Sequence, residues 1–376
     1  MKKNITEMKV IHTSFFANVG GGILAQLKSE ENVVHELKLG WDILLVSSQK
    51  KKLYKESFFH QIPYLMSINY FLKRLYYHYI LQKRIKKEKY NIILYRYLKA
   101  DIFSYIFRGK YKNRITVHHT KETNELALGN SIFNKFLQSI ESYYGHRFIA
   151  GAKGLVAMTQ EIAIYEIKRS GKEIPYIVIP NGVDLNSISL VDDKRTSELN
   201  IAFIAGSFLP WHGLDLLLQA IEKSDLKFTL HLIGNIPLEI REQILTTDIL
   251  NSRINVCGYL NRKERISILS KCNIGIDSLA LNRKGMSEAC ALKVREYLAS
   301  GIPVYSGFKD AGLPASFPFY KIGEVDINSI ANYARSLKKV SRQEVRDRSK
   351  EYIDKVILTK RLYEFLNLMY IDSREM

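Results

Sequence analysis

The chain is poor in cysteine, has no long apolar run, and lacks acidic charge where its basic charge is densest. Its three cysteines, Cys257, Cys272 and Cys290, stand singly, with no C-x-x-C and no partner at metal-ligand spacing. That excludes a disulfide framework and a structural zinc site, and points to a reducing compartment. Nowhere do 18 apolar residues follow one another, so no transmembrane helix is expected. The opening MKKNITEMKVIHTSFF is basic but has no apolar signal-peptide core, and a cytoplasmic location is expected. No G-x-G-x-x-G, internal repeat or low-complexity segment occurs. Residues 50–114 hold 17 Lys or Arg against Glu56, Glu88 and Asp101, which is +14 of the chain's +18.

The 376 residues suffice for two cores, and 46% hydrophobic with 25% charged content is that of a globular protein. Strands are expected at Lys9–Thr13, Ile43–Ser47, Ile92–Tyr95, Ile115–His118 and Gly154–Met158, with helices between. After the break at YIVIPNGVDLN the alternation restarts, with strands at Ile201–Ala205, Phe228–Ile233, Ile254–Val256, Ile274–Ile276 and Pro303–Tyr305. Strand–helix alternation of this kind predicts parallel sheets covered on both faces. The expected fold class is therefore α/β, as two Rossmann-like domains, 1–178 and 179–352, followed by a terminal helix at 353–376.

Four places carry residues suited to chemistry. LALNRKGMSEACALKVREYLASGIPV sets Glu288 and Glu296 across a loop-to-helix junction, and Gly301 and Pro303 predict that the helix spans Leu292–Ala299. Lys293 precedes Glu296 by one turn on the same face. Carboxylates accept hydrogen bonds from sugar hydroxyls, while a helix N-terminus and a lysine suit phosphate; from spacing alone, two solvated glutamates on a surface helix would read the same. GSFLPWHG (Gly206–Gly213) follows the first strand of the second half. Val117-His118-His119-Thr120-Lys121-Glu122 closes a strand of the first half, where adjacent histidines are as readily structural. Asn18-Val19-Gly20-Gly21-Gly22 lies between the first strand and a helix expected from Ile23, where glycine lets another molecule approach the backbone. The basic segment NYFLKRLYYHYILQKRIKKEKY reads as a helix with an aromatic face. It suits an anionic membrane, a solvated surface or packing in a core.

The 279–304 segment, above all LKVREYLASGIPV behind its EA pair and LALNRKG, resembles the donor site of retaining GT-B glycosyltransferases of family 4, particularly bacterial enzymes of surface-polysaccharide assembly. The resemblance covers Ile177 to about Val304 well and the first half thinly. It implies the GT-B arrangement: two Rossmann-like domains facing across a cleft, with a C-terminal helix crossing back to the first. It also implies retaining transfer of a sugar from a nucleotide-diphosphate-sugar to a hydroxyl of a glycan. The implied catalytic residues are Glu288, which positions the sugar, and His119, which orients sugar or acceptor. Glu296 would hold the ribose, Lys293 would steady the phosphate, and Gly258 and Tyr259 would meet the base. Gly21, Gly22, His118 and Glu122 would lie on the acceptor side, and Glu125 beyond them could meet acceptor hydroxyls. Many relatives place an Arg and a Lys in the Gly206–Gly213 loop, where this chain has Phe208 and His212. The candidates to balance the diphosphate are then Lys293, the helix N-terminus after Gly206, and Arg283 or Lys284; Gly206, Ser207 and His212 are expected among the donor-binding residues. No Asp-x-Asp occurs, so no metal and no other cofactor is expected. The basic, Tyr-rich residues 50–114 suggest an anionic membrane surface, a lipid-linked glycan acceptor for capsule, O-antigen or exopolysaccharide, and a peripheral place at the inner face of the cytoplasmic membrane. Nucleic acid is not expected as a partner. The competing reading is a non-catalytic basic α/β protein that binds membrane or nucleic acid; an epimerase reading fits the LKVREYLA segment poorly.

Overall fold

The computed structural model describes residues 8–49, 56–127 and 131–375. The opening seven residues and the basic run 50–55 lie outside them, and so does the side chain of Glu125. The chain divides into two compact units. They part between Ile179 and Pro180, and the stretch from Leu358 onward belongs to the first.

The first unit holds β1 (Val10–Phe16), β2 (Trp41–Ser47), β3 (Phe59–Gln61), β4 (Ile92–Arg96), β5 (Arg114–His118), β6 (Gly154–Ala157) and β7 (Tyr176–Val178). They form one parallel sheet in the order β3-β2-β1-β4-β5-β6-β7. Its strands are buried nearly end to end, through Val10, Ile11, Leu45, Val46, Ile93, Leu94 and Leu155, because helices cover both faces of a parallel sheet. Fully burying such a side chain stabilises by roughly 1.5–3 kcal/mol. The sequence reading placed five of the seven strands, and β7 lies at the start of the YIVIPNGVDLN break. It did not find β3, a three-residue strand with no alternation to read.

The second unit holds β8 (Leu199–Ser207), β9 (Phe228–Asn235), β10 (Ile254–Gly258), β11 (Ile274–Ile276), β12 (Glu288–Ala289), β13 (Val304–Ser306), β14 (Lys309–Asp310) and β15 (Tyr320–Ile322). Six of them form a parallel sheet ordered β10-β9-β8-β11-β13-β15, while β12 pairs with β14 apart from it. Successive residues of β8 point to opposite faces. Ile201 and Phe203 join one core with Leu217, Leu230 and Ile276, and Ala202 joins another with Val294, Tyr297 and Leu298. The helix after β12 spans Leu292–Ala299, as its Gly and Pro stop signals predict.

Two readings of the first unit need correction. The helix after β1 starts at Gly21, with Gly20 as its extended N-cap. Gly21 and Gly22 are thus exposed residues of a first helical turn and not a loop, and a Cβ at Gly20 or Gly21 would meet nothing within 4 Å. The basic segment is the helix Tyr70–Glu88, capped by the Asn69 side chain, which accepts from the N–H groups of Phe71 (2.8 Å) and Leu72 (3.4 Å). Its aromatic residues are split between two faces: Arg74, Tyr77, His78 and Leu81 are buried, whereas Leu72, Leu75 and Tyr79 are exposed. The last helix, Lys355–Glu375, buries Leu358, Leu366 and Tyr370. Phe365 comes close enough to β6 that a Cβ at Gly154 would stand 3.4 Å from its ring.

Candidate functional site

In an open parallel sheet, ligands bind beyond the carboxyl ends of the strands, at the point where strand order reverses. That point lies between β1 and β4 in the first sheet and between β8 and β11 in the second. Each unit concentrates its chemistry there.

In the second unit β8 runs into Gly206 and Ser207, both exposed, and then a 3-10 turn at Pro210–His212. Gly213 closes the turn at φ +70°, a conformation that glycine adopts without strain. The His212 ring accepts through Nδ1 from the Leu209 N–H (2.9 Å), which leaves Nε2 as the N–H donor of a neutral ring. Burial first, and then the Lys293 charge, push the His212 pKa down to about 4. Phe208, at the place of the missing family cation, is buried in the core against Phe203, with ring centroids 5.0 Å apart.

Beyond β11 stands Asp277, fully buried, with Oδ1 3.4 Å from Lys293 Nζ. The lysine lies over the Phe203 ring, 4.9 Å from its centroid. Burial pushes the Lys293 pKa down and the Asp277 pKa up, each against the pull of the other's charge. Asp277 was not among the residues read from sequence; its place directly after a strand at the reversal point is the signal that marks it.

The other expected donor residues fall into two groups. Glu288 lies on β12, buried, with Lys309 Nζ 3.5 Å away. Glu296 is half-buried, which raises its pKa, and meets Arg265 Nη1 at 3.3 Å, a cation that sequence reading passed over. Tyr259 is exposed and donates to the Gly206 carbonyl (2.7 Å), and Gly258 precedes it at φ +66°. The LNRKG loop does not present a free arginine. The Arg283 fork is bidentate to Asp215 (2.8 Å for each bond) and also donates to the Pro210 carbonyl (2.8 Å). Arg283 thus clasps the two loops together. Lys284 lies over the Trp211 ring, 5.3 Å from its centroid. Asn181 donates to the Cys290 carbonyl (2.7 Å) and accepts from Arg295 (3.0 Å), itself buried and paired with Asp310. This ties the interdomain turn to the Glu288 segment.

In the first unit a cavity of about 580 Å³ opens beyond β1, β4 and β5. Its walls include Phe16, Tyr70, Arg74, Arg96, Lys99, His119 and Glu122. The cavity thus brings together His119, expected as catalytic, and Glu122 of the expected acceptor-side set, but not Gly21, Gly22 or His118. His118 points into the protein, with its Nδ1 3.2 Å from Glu122 and 4.0 Å from Glu166. Burial pushes His118 down to about 4 and raises Glu122 to about 8 and Glu166 to about 7. The His118–Glu122 contact is therefore a neutral hydrogen bond at neutral pH. His118, Glu122 and Glu166 bring one ligand atom each within 4.8 Å of one another, a spacing that a divalent ion could use. Arg169 already occupies the charge-balancing role, at 2.6 Å from Glu166 and in contact with Glu141. The cluster fits shared protons and a guanidinium better than a metal.

Residues 32–187 match the sequence family described as Glycosyltransferase Family 4. That match is confined to the first part of the chain, and the two parallel-sheet α/β units have the fold of GT-B glycosyltransferases. The match falls on the half of the chain where the sequence resemblance was thin. An uncharacterised glycosyltransferase of Methanocaldococcus jannaschii, MJ1178, is 24% identical over 272 residues, 71% of each chain. The structure of HepE (Alr3699) of Anabaena, in complex with UDP, is similar with a TM-score of 0.67 at 15% identity, over 96% of this chain and all of that one. The lipopolysaccharide outer core galactosyltransferase WaaB, in its apo form, is similar with a TM-score of 0.63 at 12% identity, over 98% of this chain and all of that one. At such identities the two structures bear on the fold of this chain alone. Among its described residues no helix is long and apolar enough to cross a membrane.

Proposed function

We propose that this glycosyltransferase moves a sugar from a nucleotide-diphosphate-sugar, bound at the reversal point of the second sheet, to a hydroxyl of a glycan bound in the first-unit cavity. The observation that carries the reading is the cluster around Lys293: a buried cation on Asp277, beside a neutral histidine with a free donor face, at the carboxyl ends of β8 and β11. A leaving diphosphate needs fixed positive charge and oriented donors, and preorganised groups in a site with little water supply both. Lys293 and the His212 Nε2–H meet the phosphates, Glu296 accepts from the ribose, Glu288 holds the sugar, and Tyr259 and Gly258 border the base. His119 orients the acceptor or the transferred sugar. The transfer retains anomeric configuration and needs no metal, since these charges take the place a divalent ion would fill.

The acceptor is lipid-linked, in capsule, O-antigen or exopolysaccharide assembly, and the enzyme works at the inner face of the cytoplasmic membrane. The exposed side of the helix Tyr70–Glu88 supports this. Met66, Leu72, Leu75, Tyr76, Tyr79 and Phe107 line a shallow groove of about 750 Å³ that ends at Lys83 and Lys86, with no carboxylate along it. Apolar side chains beside lysines complement an anionic bilayer.

The deciding experiment is a thermal-shift screen with UDP, GDP, ADP and CMP in EDTA. One nucleotide should raise the melting temperature, and Glu296→Ala should abolish the rise. The absence of a shift with all four, in EDTA and with added magnesium, would contradict the donor site.

A further inference from the structure

The first-unit cavity carries more positive charge than a neutral sugar calls for. Lys73 and Arg74 reach it from the helix Tyr70–Glu88, and Arg96 and Lys99 from the end of β4. The carboxyl group along its wall, Glu122, is held largely protonated at neutral pH by burial. Arg74 is more than nine-tenths buried, at 7% exposure. The rings of Tyr70 (4.4 Å) and Phe15 (5.7 Å) hold its guanidinium in place. Its Nε and Nη1 are shut off from water and meet no hydrogen-bond acceptor.

Balancing Asp101 does not account for this arrangement. The Arg74–Asp101 separation is 3.9 Å, too long for a hydrogen bond. Asp101 already accepts from His78 (2.8 Å), Ser104 (2.7 Å) and the Phe103 N–H (3.2 Å). A buried guanidinium with unmet donors is costly, and the cost is relieved when an oxyanion in the cavity draws the side chain round so that the fork donates to it.

We infer that the cavity is an oxyanion subsite: the acceptor carries a phosphate or a carboxylate close to the hydroxyl that is glycosylated, and Arg74 binds it beside His119. This rests on the acceptor role proposed above for the cavity. Two sources share that chemistry, the phosphate that joins a sugar to its lipid carrier and the carboxylate of an acidic sugar. In either case the anion fixes the acceptor's register, so the enzyme discriminates against neutral glycans through the unmet donors that a neutral ligand leaves behind.

The test is calorimetric titration of the full chain, first saturated with the nucleotide found in the screen so that the second unit's phosphate site is filled. Glucose 1-phosphate, glucuronate and glucose are the three probes. At least one anion should bind ten-fold or more tightly than glucose and weaken as salt is raised. Binding of the phosphate would identify the carrier linkage as the source, and binding of glucuronate alone would identify an acidic sugar. Arg74→Met should remove that preference while nucleotide affinity stays unchanged. Equal binding of the three probes, or an anion preference that survives Arg74→Met, overturns the inference. Should Arg74→Met fail to fold, Arg74→Lys carries the test: it keeps the charge and loses the fork, so a several-fold loss of anion affinity is required, and none overturns the inference. Failure of the nucleotide screen sinks the glycosyl-transfer reading instead, because that site lies in the other unit.

Discussion

At the scale of single residues, the proposed donor role of Lys293 makes its buried pairing with Asp277 a test of how nucleotide binding depends on pH. In that role Lys293 has to be charged; burial lowers its pKa, and Asp277 holds it up. Donor affinity should therefore fall as pH rises into the depressed titration range of Lys293. In Asp277→Asn that support is gone, and the fall should begin about one pH unit or more lower. Nucleotide titrations between pH 6.5 and 9.5 check this, and superimposable profiles would refute it. The first-unit cluster has its own pH signature. Glu122 titrates near 4.5 when unfolded and is pushed up to about 8 by burial, so the folded state holds the extra proton. Its contribution to stability is complete below pH 4.5 and is lost as pH rises through 8. His118, pushed down to about 4, acts at the other end: its share is lost as pH falls from 6.5 through 4. Melting temperature should thus decline from pH 6.5 to 8.5, and Glu122→Gln should flatten that decline.

At the scale of elements, the helix Tyr70–Glu88 serves two surfaces at once. Tyr70 and Arg74 on one side enter the first-unit cavity, while Leu72, Leu75 and Tyr79 on another face the groove. Leu75→Asp with Tyr79→Asp should lower co-sedimentation with anionic vesicles several-fold at moderate salt and leave nucleotide affinity intact. Unchanged vesicle binding would mean that the lysines act alone. The periodicity of the segment contained more than the membrane reading drew from it. Residues 70, 74, 77 and 81 share a helical face, and the structure buries three of the four, Arg74 among them. A cation in the middle of a buried stripe is the trace by which Arg74 could have been found. The loop pair Pro210–His212 and Leu281–Lys284 shows the converse. Arg283 looked like a free cation because its partner, Asp215, stands 68 positions away.

At the scale of the whole molecule, the chain returns at its end to the unit in which it began. Leu358, Leu366 and Tyr370 are buried in the first unit's share of the terminal helix, and each such side chain is worth roughly 1.5–3 kcal/mol. Ending the chain at Ile357 should therefore destabilise the first unit by several kcal/mol. Hydrogen exchange would register this as lost amide protection in β6, where Phe365 packs on Gly154. Protection unchanged by the truncation would show that the helix contributes little there.

The sequence by itself determined the two alternating halves, the parallel sheets, the helix Leu292–Ala299 and the segment that resembles a donor site. These follow from local period and stop signals, which act within a few residues. Tertiary structure alone decided which charges remain available. It committed Arg283 to Asp215, buried Phe208 in the core, turned His118 inward onto Glu122, and set Lys293 on Asp277. Arg283 with Asp215 and Lys293 with Asp277 are encounters between separate elements, fixed by strand order and helix packing, whereas His118 and Glu122 stand four residues apart and are neutralised by burial. Whether a charged group ends up paired, neutralised or waiting for a ligand depends on those encounters and on burial, neither of which local sequence period reports.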